Sequence, residues 1–130
     1  MSRKRILLVD DEPNFVELIR HRLEISGYDV TAAGNGKEAL DILTKEKFDA
    51  VLLDIVMPQM DGLKTLKLLR KRDNALPVFM LTAHSDEERF KQANELGASG
   101  FIMKMADLQK EIDNISGILQ LSGKYRPSGK

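Results

Sequence analysis

A chain of 130 residues, 42% hydrophobic and 31% charged, has the length and composition of a single globular domain. A formal net charge of +0 argues against nucleic-acid binding through bulk charge, and the absence of cysteine excludes disulfides, thiolate catalysis and zinc–thiolate sites. The basic start, Met1 to Arg5, is followed by only four apolar residues before Asp10, too few for a signal peptide, and no later run approaches a membrane span. The expectation is a cytoplasmic protein that does not insert into membranes.

Strand-like and helix-like patterns then alternate along the chain. Residues 5–10 form the first predicted strand, with Ile6-Leu7-Leu8-Val9 as its apolar run, and residues 13–26 the first helix, opened by Pro13 and closed by Gly27. Asp11, read alone, is a cap for that helix. The second strand spans 28–33, and Gly34-Asn35-Gly36 turns into a helix over 37–45. That turn is no phosphate loop, since Thr31 stands where the first glycine would be. The third strand covers 48–54 and the third helix 63–72. The fourth pair covers 77–81 and 86–96, and the fifth 100–103 and 107–121. Regular alternation of this kind predicts an α/β fold, a doubly wound parallel sheet with right-handed crossovers and helices on both faces. The last residues, 122–130, read as a flexible basic tail.

Within the first helix, Phe15, Val16, Ile19 and Leu23 share one sector and are expected to face the sheet, leaving Asn14, Leu18, Arg22 and Ile25 on another flank. In the fifth helix Leu108, Ile112, Ile115 and Leu119 are expected core, with Lys110, Asp113 and Asn114 outward.

The ends of parallel strands in an open sheet are where ligands bind. Asp10 and Asp11 follow the first strand, Asp54 the third, Thr82 the fourth and Lys104 the fifth. Carboxylates gathered on one edge repel by about 4 kcal/mol per pair at ~4 Å and an effective dielectric of ~20. A hard cation relieves that repulsion, and Mg²⁺ accepts carboxylates together with a substrate phosphate. Lys104 and Thr82 are donors suited to phosphoryl oxygens, and a carboxylate beside Mg²⁺ can itself be the nucleophile. This chemistry points to Mg²⁺-dependent phosphoryl transfer onto an aspartate.

The chain resembles the receiver domain of bacterial two-component response regulators over residues 4–121. The resemblance is carried by Leu8-Val9-Asp10-Asp11-Glu12-Pro13, by Leu53-Asp54-Ile55-Val56-Met57-Pro58-Gln59-Met60-Asp61-Gly62, by Leu81-Thr82-Ala83 and by Lys104. It implies a (βα)5 domain with strand order 2-1-3-4-5. It implies Asp54 as phosphoacceptor, Asp11 as a direct Mg²⁺ ligand, Asp10 assisting through water, and the Val56 carbonyl as a further ligand. Thr82 would hydrogen-bond the phosphoryl group, Lys104 would pair with it, and Phe101 would follow Thr82 in the switch. The implied phosphodonor is a histidine kinase or phosphotransfer protein, and the implied output is a downstream protein target. Asn14, Leu18 and Arg22 are candidates for docking the donor. His84, two residues after Thr82, is a candidate for controlling water access. Where the family usually has Lys-Pro with a cis bond, this chain has Lys104-Met105, and a trans bond is expected because cis before Met costs about 2.5–4 kcal/mol. Two other readings are an aspartate-nucleophile phosphohydrolase, which needs an acid where Val56 stands, and a binding-only module.

Overall fold

The computed structural model describes residues 3–57, 60–83 and 87–125, with side chains described as far as residue 120. Five strands alternate with five helices: β1 Arg5–Val9, α1 Pro13–Ile25, β2 Asp29–Ala33, α2 Gly36–Lys45, β3 Ala50–Asp54, α3 Gly62–Arg72, β4 Val78–Thr82, α4 Glu87–Glu95, β5 Gly100–Met103 and α5 Leu108–Tyr125. The strands form one parallel sheet in the order β2-β1-β3-β4-β5, as expected. The direction in which strands are added to the sheet reverses between β1 and β3, which pair in parallel with Val9 opposite Leu53. The residues that follow, Asp10 and Asp54, therefore emerge side by side.

Alternation along the strands sends side chains to two separate cores. Ile6, Leu8, Leu52 and Leu81 pack with Phe15, Ile19 and Leu23 of α1 and with Leu108, Ile112, Ile115 and Leu119 of α5. Leu7, Val9, Leu53 and Met80 face the other way, onto α2, α3 and α4. β1, β3 and β4 are buried on both faces, which explains why they read as continuous apolar runs rather than alternating ones. Leu18 and Ile25 are exposed on α1, and Lys110, Asp113 and Asn114 on α5, as their helical positions predict.

Helix starts differ from expectation for a physical reason. Asn35 caps α2, its side chain accepting the Glu38 N–H, while Glu38 accepts in return from the Gly34 N–H. Asp61 caps α3 by accepting from the Lys64 N–H at 2.8 Å. These side-chain caps, reciprocal at α2 and single at α3, start the helices at Gly36 and Gly62, one residue earlier than glycine's poor helix propensity suggests. Asp11 is not a cap. Glu12 occupies that position, without a side-chain capping bond, so the capping role expected for Asp11 is corrected. At the other end of the chain α5 runs to Tyr125, so residues 122–125 are helical rather than part of the expected tail. Glycine inside a helix costs about 1 kcal/mol and does not stop it. Residues 126–130, Pro58, Gln59, His84, Ser85 and Asp86 lie outside the described residues. No cis peptide bond occurs among the described residues, so Lys104-Met105 is trans.

Two close approaches fix the layers. A Cβ on Gly62 would lie 2.1 Å from the Asp54 carbonyl oxygen, and the Gly62 N–H donates to Ile55 O at 2.8 Å. Helix α3 is thereby pressed directly onto the end of β3. Arg70 ties the other end of α3, donating to Gly97 O through Nε and Nη2 and to Leu76 O at 2.7 Å through Nη1. Gly62→Ala should therefore lower stability by about 1–3 kcal/mol through overpacking against backbone. Gly117→Ala, in open space within α5, should raise it by about 0.5–1 kcal/mol. Thermal or denaturant melting checks both, and equal effects would contradict the close approach at Gly62.

Candidate functional site

β1 delivers Asp10, β3 delivers Asp54, β4 ends in Thr82 and Lys104 follows β5, all on the carboxyl edge of the sheet. The backbone holds this edge together. The Asp10 N–H donates to Ala33 O, the Ile55 N–H to Leu81 O and the Lys104 N–H to Thr82 O at 2.9 Å. Thr82 is the last residue of β4 rather than the first beyond it, and is buried with Asp10 and Asp54. Asp11 is exposed at the rim. Asp10, Asp11 and Asp54 each bring a carboxylate oxygen to within 4.8 Å of the others.

Lys104 crosses this edge. Its ammonium lies 2.7 Å from Asp10 Oδ2, 2.9 Å from Glu12 Oε1 and 3.1 Å from Asp54 Oδ2. The Phe15 ring centroid is 4.7 Å from the same nitrogen, so the aromatic face adds a cation–π contact beneath it. The contact with Asp10 is an ion pair rather than a hydrogen bond of good angle, and Asp10 Oδ2 is a buried oxygen with no hydrogen-bond partner. Asp10 Oδ1 accepts from the Glu12 N–H, and Asp54 Oδ1 accepts from the Val56 N–H at 3.2 Å. Each buried carboxylate is thus fixed through one oxygen to backbone and through the other to the ammonium.

The charges shift accordingly. Burial, and then the Asp10 charge, raise the Asp54 pKa from 3.8 to about 6, against the opposing pull of Lys104 and the Val56 N–H. Burial disfavours the Lys104 charge, but the contacts with Asp10 and Glu12 and the Asp54 charge overcome it and hold its pKa above the ordinary lysine value. At neutral pH Asp54 is mostly ionised and Lys104 is fully charged.

Of the residues singled out from sequence, Asp10, Asp11, Asp54 and Lys104 form one cluster, with Thr82 in the adjacent strand. Val56 is 56% exposed beside it. Phe101 is partly buried, its ring 4.7 Å from that of Phe90. Asn14, Leu18 and Arg22 are exposed in a stripe along α1. Glu12 was not among the expected site residues. Its only sequence signal is that it follows the two aspartates directly.

The cluster suits a hard divalent cation, because three carboxylates converge within reach of one ion and hard cations take oxygen ligands. The elevated pKa of Asp54 has a definite sign. A carboxyl group that holds its proton more tightly when folded stabilises the fold below the unfolded pKa, and that contribution is lost as pH rises through the folded value. In metal-free buffer, Asp54→Asn should therefore gain stability relative to the native chain as pH rises between about 4 and about 6, and hold that gain above. Denaturant melts across pH check this, and a difference independent of pH would contradict the burial of Asp54.

A family model, the response regulator receiver domain, matches residues 6–116. The chain is 36% identical over 121 residues to sporulation initiation phosphotransferase F of Bacillus subtilis, covering 93% of this chain and 98% of that protein. It is 38% identical over 127 residues to the alkaline phosphatase synthesis transcriptional regulatory protein PhoP of Bacillus subtilis, covering 98% of this chain and 53% of that one. The chain spans about half the length of PhoP and of the similar CpxR homolog of Haemophilus influenzae. Among solved structures, a CheY-like receiver domain protein from Methanospirillum hungatei is similar with a TM-score of 0.89 and 30% identity, covering 95% of this chain and 98% of that one. The response regulator TrrA of Thermotoga maritima, in complex with Mg(2+)-BeF, is similar with a TM-score of 0.81 and 33% identity, covering 88% and 98%. No helix among the described residues is long and apolar enough to cross a membrane. Strand order, acid cluster and family match agree: the chain belongs to the response regulator receiver domain family of two-component signalling.

Proposed function

We propose that Asp54 is the phosphoacceptor, that Asp10 and Asp11 hold Mg²⁺ beside it, and that the donor is a phosphohistidine on a histidine kinase or phosphotransfer protein. The observation that carries this reading is the Lys104 ammonium lying between Asp10 and Asp54, with Asp11 at the rim of the same cluster. The buried Asp54 carboxylate is pinned through Val56 N–H and Lys104 Nζ, which limits its rotation. An Asp54 oxygen attacks the donor's phosphorus, an O–P bond forms, and the P–N bond to the histidine breaks with its electron pair leaving on the imidazole, which takes up a proton. The cation, when bound, neutralises charge on the transferring phosphoryl oxygens. Lys104 then exchanges its contact with the Asp54 carboxylate for a phosphoryl oxygen, and the Thr82 hydroxyl donates to another.

Phosphorylation adds about −1.5 to −2 charge at Asp54, next to the buried end of β4. Movement of Thr82 toward the phosphoryl group vacates space that the partly buried Phe101 can enter, biasing the surface around β5 toward an output conformation. The Val56 carbonyl would supply a backbone ligand to the cation in this reading, and Asn14, Leu18 and Arg22 of α1 form the exposed stripe on which the donor docks. The output passes to a downstream protein or to a further domain of the same protein.

The reading is tested with a small-molecule phosphodonor and Mg²⁺. A stoichiometric acyl phosphate is expected, absent from Asp54→Ala and reduced by an order of magnitude or more in Thr82→Ala. Continuous turnover of a generic phosphate ester would favour the hydrolase instead. Saturating Mg²⁺ should also raise the melting temperature, since about 100 Kd of a ligand that binds only the folded state adds about 2.7 kcal/mol. Asp11→Asn should remove most of that rise, and an unmoved melting temperature in the native chain would overturn the assignment of the cation site.

A further inference from the structure

In a chain with no net charge, α3 stands out: its eleven residues carry Lys64, Lys67, Arg70, Lys71 and Arg72 and no acid. Arg70 has an internal task, the clamp onto Gly97 and Leu76, and Arg72 donates to Leu40 O. The lysines have none. Lys64, Lys67 and Lys71 are exposed, and among the described residues they form no ion pair. Helix stability accounts for Lys71, in the last turn where the dipole favours a cation, but not for Lys64 and Lys67. Lys64 sits in the first turn, where the helix dipole disfavours a cation, and the spacings i, i+3 and i+7 stack like charges on one face.

That face is one wall of an open groove of about 640 Å³ between α3 and α4. Its apolar lining is supplied by Leu63, Leu68 and Leu96, each partly buried and short of full cover. Asp61 and Glu95 also line it. The pattern discriminates between anionic partners. A nucleic-acid backbone brings uniform negative charge, which Asp61 and Glu95 repel, and has nothing to lay over three leucines. An amphipathic helix can place carboxylates opposite the lysines, which span about 10 Å along α3, and set aliphatic side chains on the leucines.

We propose that the α3–α4 groove is a docking surface for an acidic amphipathic helix of a partner protein. The surface lies on α3 and α4, distinct from the exposed stripe on α1, and it does not depend on the assignment of Asp54. The test uses the unphosphorylated full chain, isotope-labelled, titrated with a synthetic peptide of about sixteen residues, long enough to form helix. Its glutamates are spaced i, i+4, i+7 beside a leucine stripe. A charge-inverted peptide with lysine for glutamate, a short DNA duplex and vesicles containing phosphatidylglycerol are titrated in parallel. The acidic peptide should perturb backbone amide resonances of residues 62–72 and 90–97, and its affinity should fall as salt rises. K64E/K67E/K71E, used only once a melting temperature no lower than that of the native chain shows the fold intact, should weaken it about tenfold or more, a loss of about 1.4 kcal/mol or more. The proposal is overturned if the acidic peptide leaves the groove resonances unmoved, if the triple variant binds it as tightly as the native chain, or if the inverted peptide, DNA or vesicles occupy the groove more tightly.

Discussion

The site is organised around a single ammonium group. Sheet topology forces Asp10 and Asp54 together on the carboxyl edge, both buried, and two such charges repel strongly where water is scarce. Lys104 Nζ, within 3.1 Å of both and of Glu12, offsets that repulsion. A buried charge network of this kind adds little net stability over an apolar substitute, because desolvation cancels much of the attraction. Its value lies in poise. Asp54 retains a raised pKa of about 6 yet is mostly ionised at neutral pH, and its carboxylate stays oriented.

Everything beneath that edge serves to hold it still. β1, β3 and β4 are buried on both faces, so the residues that end them have little freedom to move. Helix α3 is anchored by Gly62 against the backbone of Asp54 and by Arg70 against the turn before β5. Phe15, from α1, supports the lysine from below. Rigid walls with one exchangeable contact, between Lys104 and Asp54, make an arrangement in which a phosphoryl group can change the balance of forces without disturbing the core.

Much of this was legible in the sequence. Four-residue apolar bursts ending in acid announced β1 and β3, and glycine and asparagine marked the turns, because buried parallel strands and helix caps leave strong local signals. The converging residues Asp10, Asp11, Asp54, Thr82 and Lys104 could be read from strand ends alone. What stayed hidden depends on contacts between distant segments. Glu12 lies 92 residues from Lys104, and nothing local announces their ion pair. The requirement for Gly62 arises where the start of α3 crosses the end of β3, a packing fact with no periodicity. The continuation of α5 through Ser122 and Gly123 went the other way: residues that punctuate many loops were tolerated inside a helix.

Lys104 does the work of a cation among the acids, so lysine and Mg²⁺ compete for the same carboxylates. The most direct measurement compares the melting temperatures of the native chain and Lys104→Met, each in metal-free buffer and in saturating Mg²⁺. Lys104→Met should be less stable without metal, since Asp10 and Asp54 lose their counter-charge. Mg²⁺ should then raise its melting temperature by more than it raises that of the native chain. An equal or smaller rise in the variant would contradict the claim.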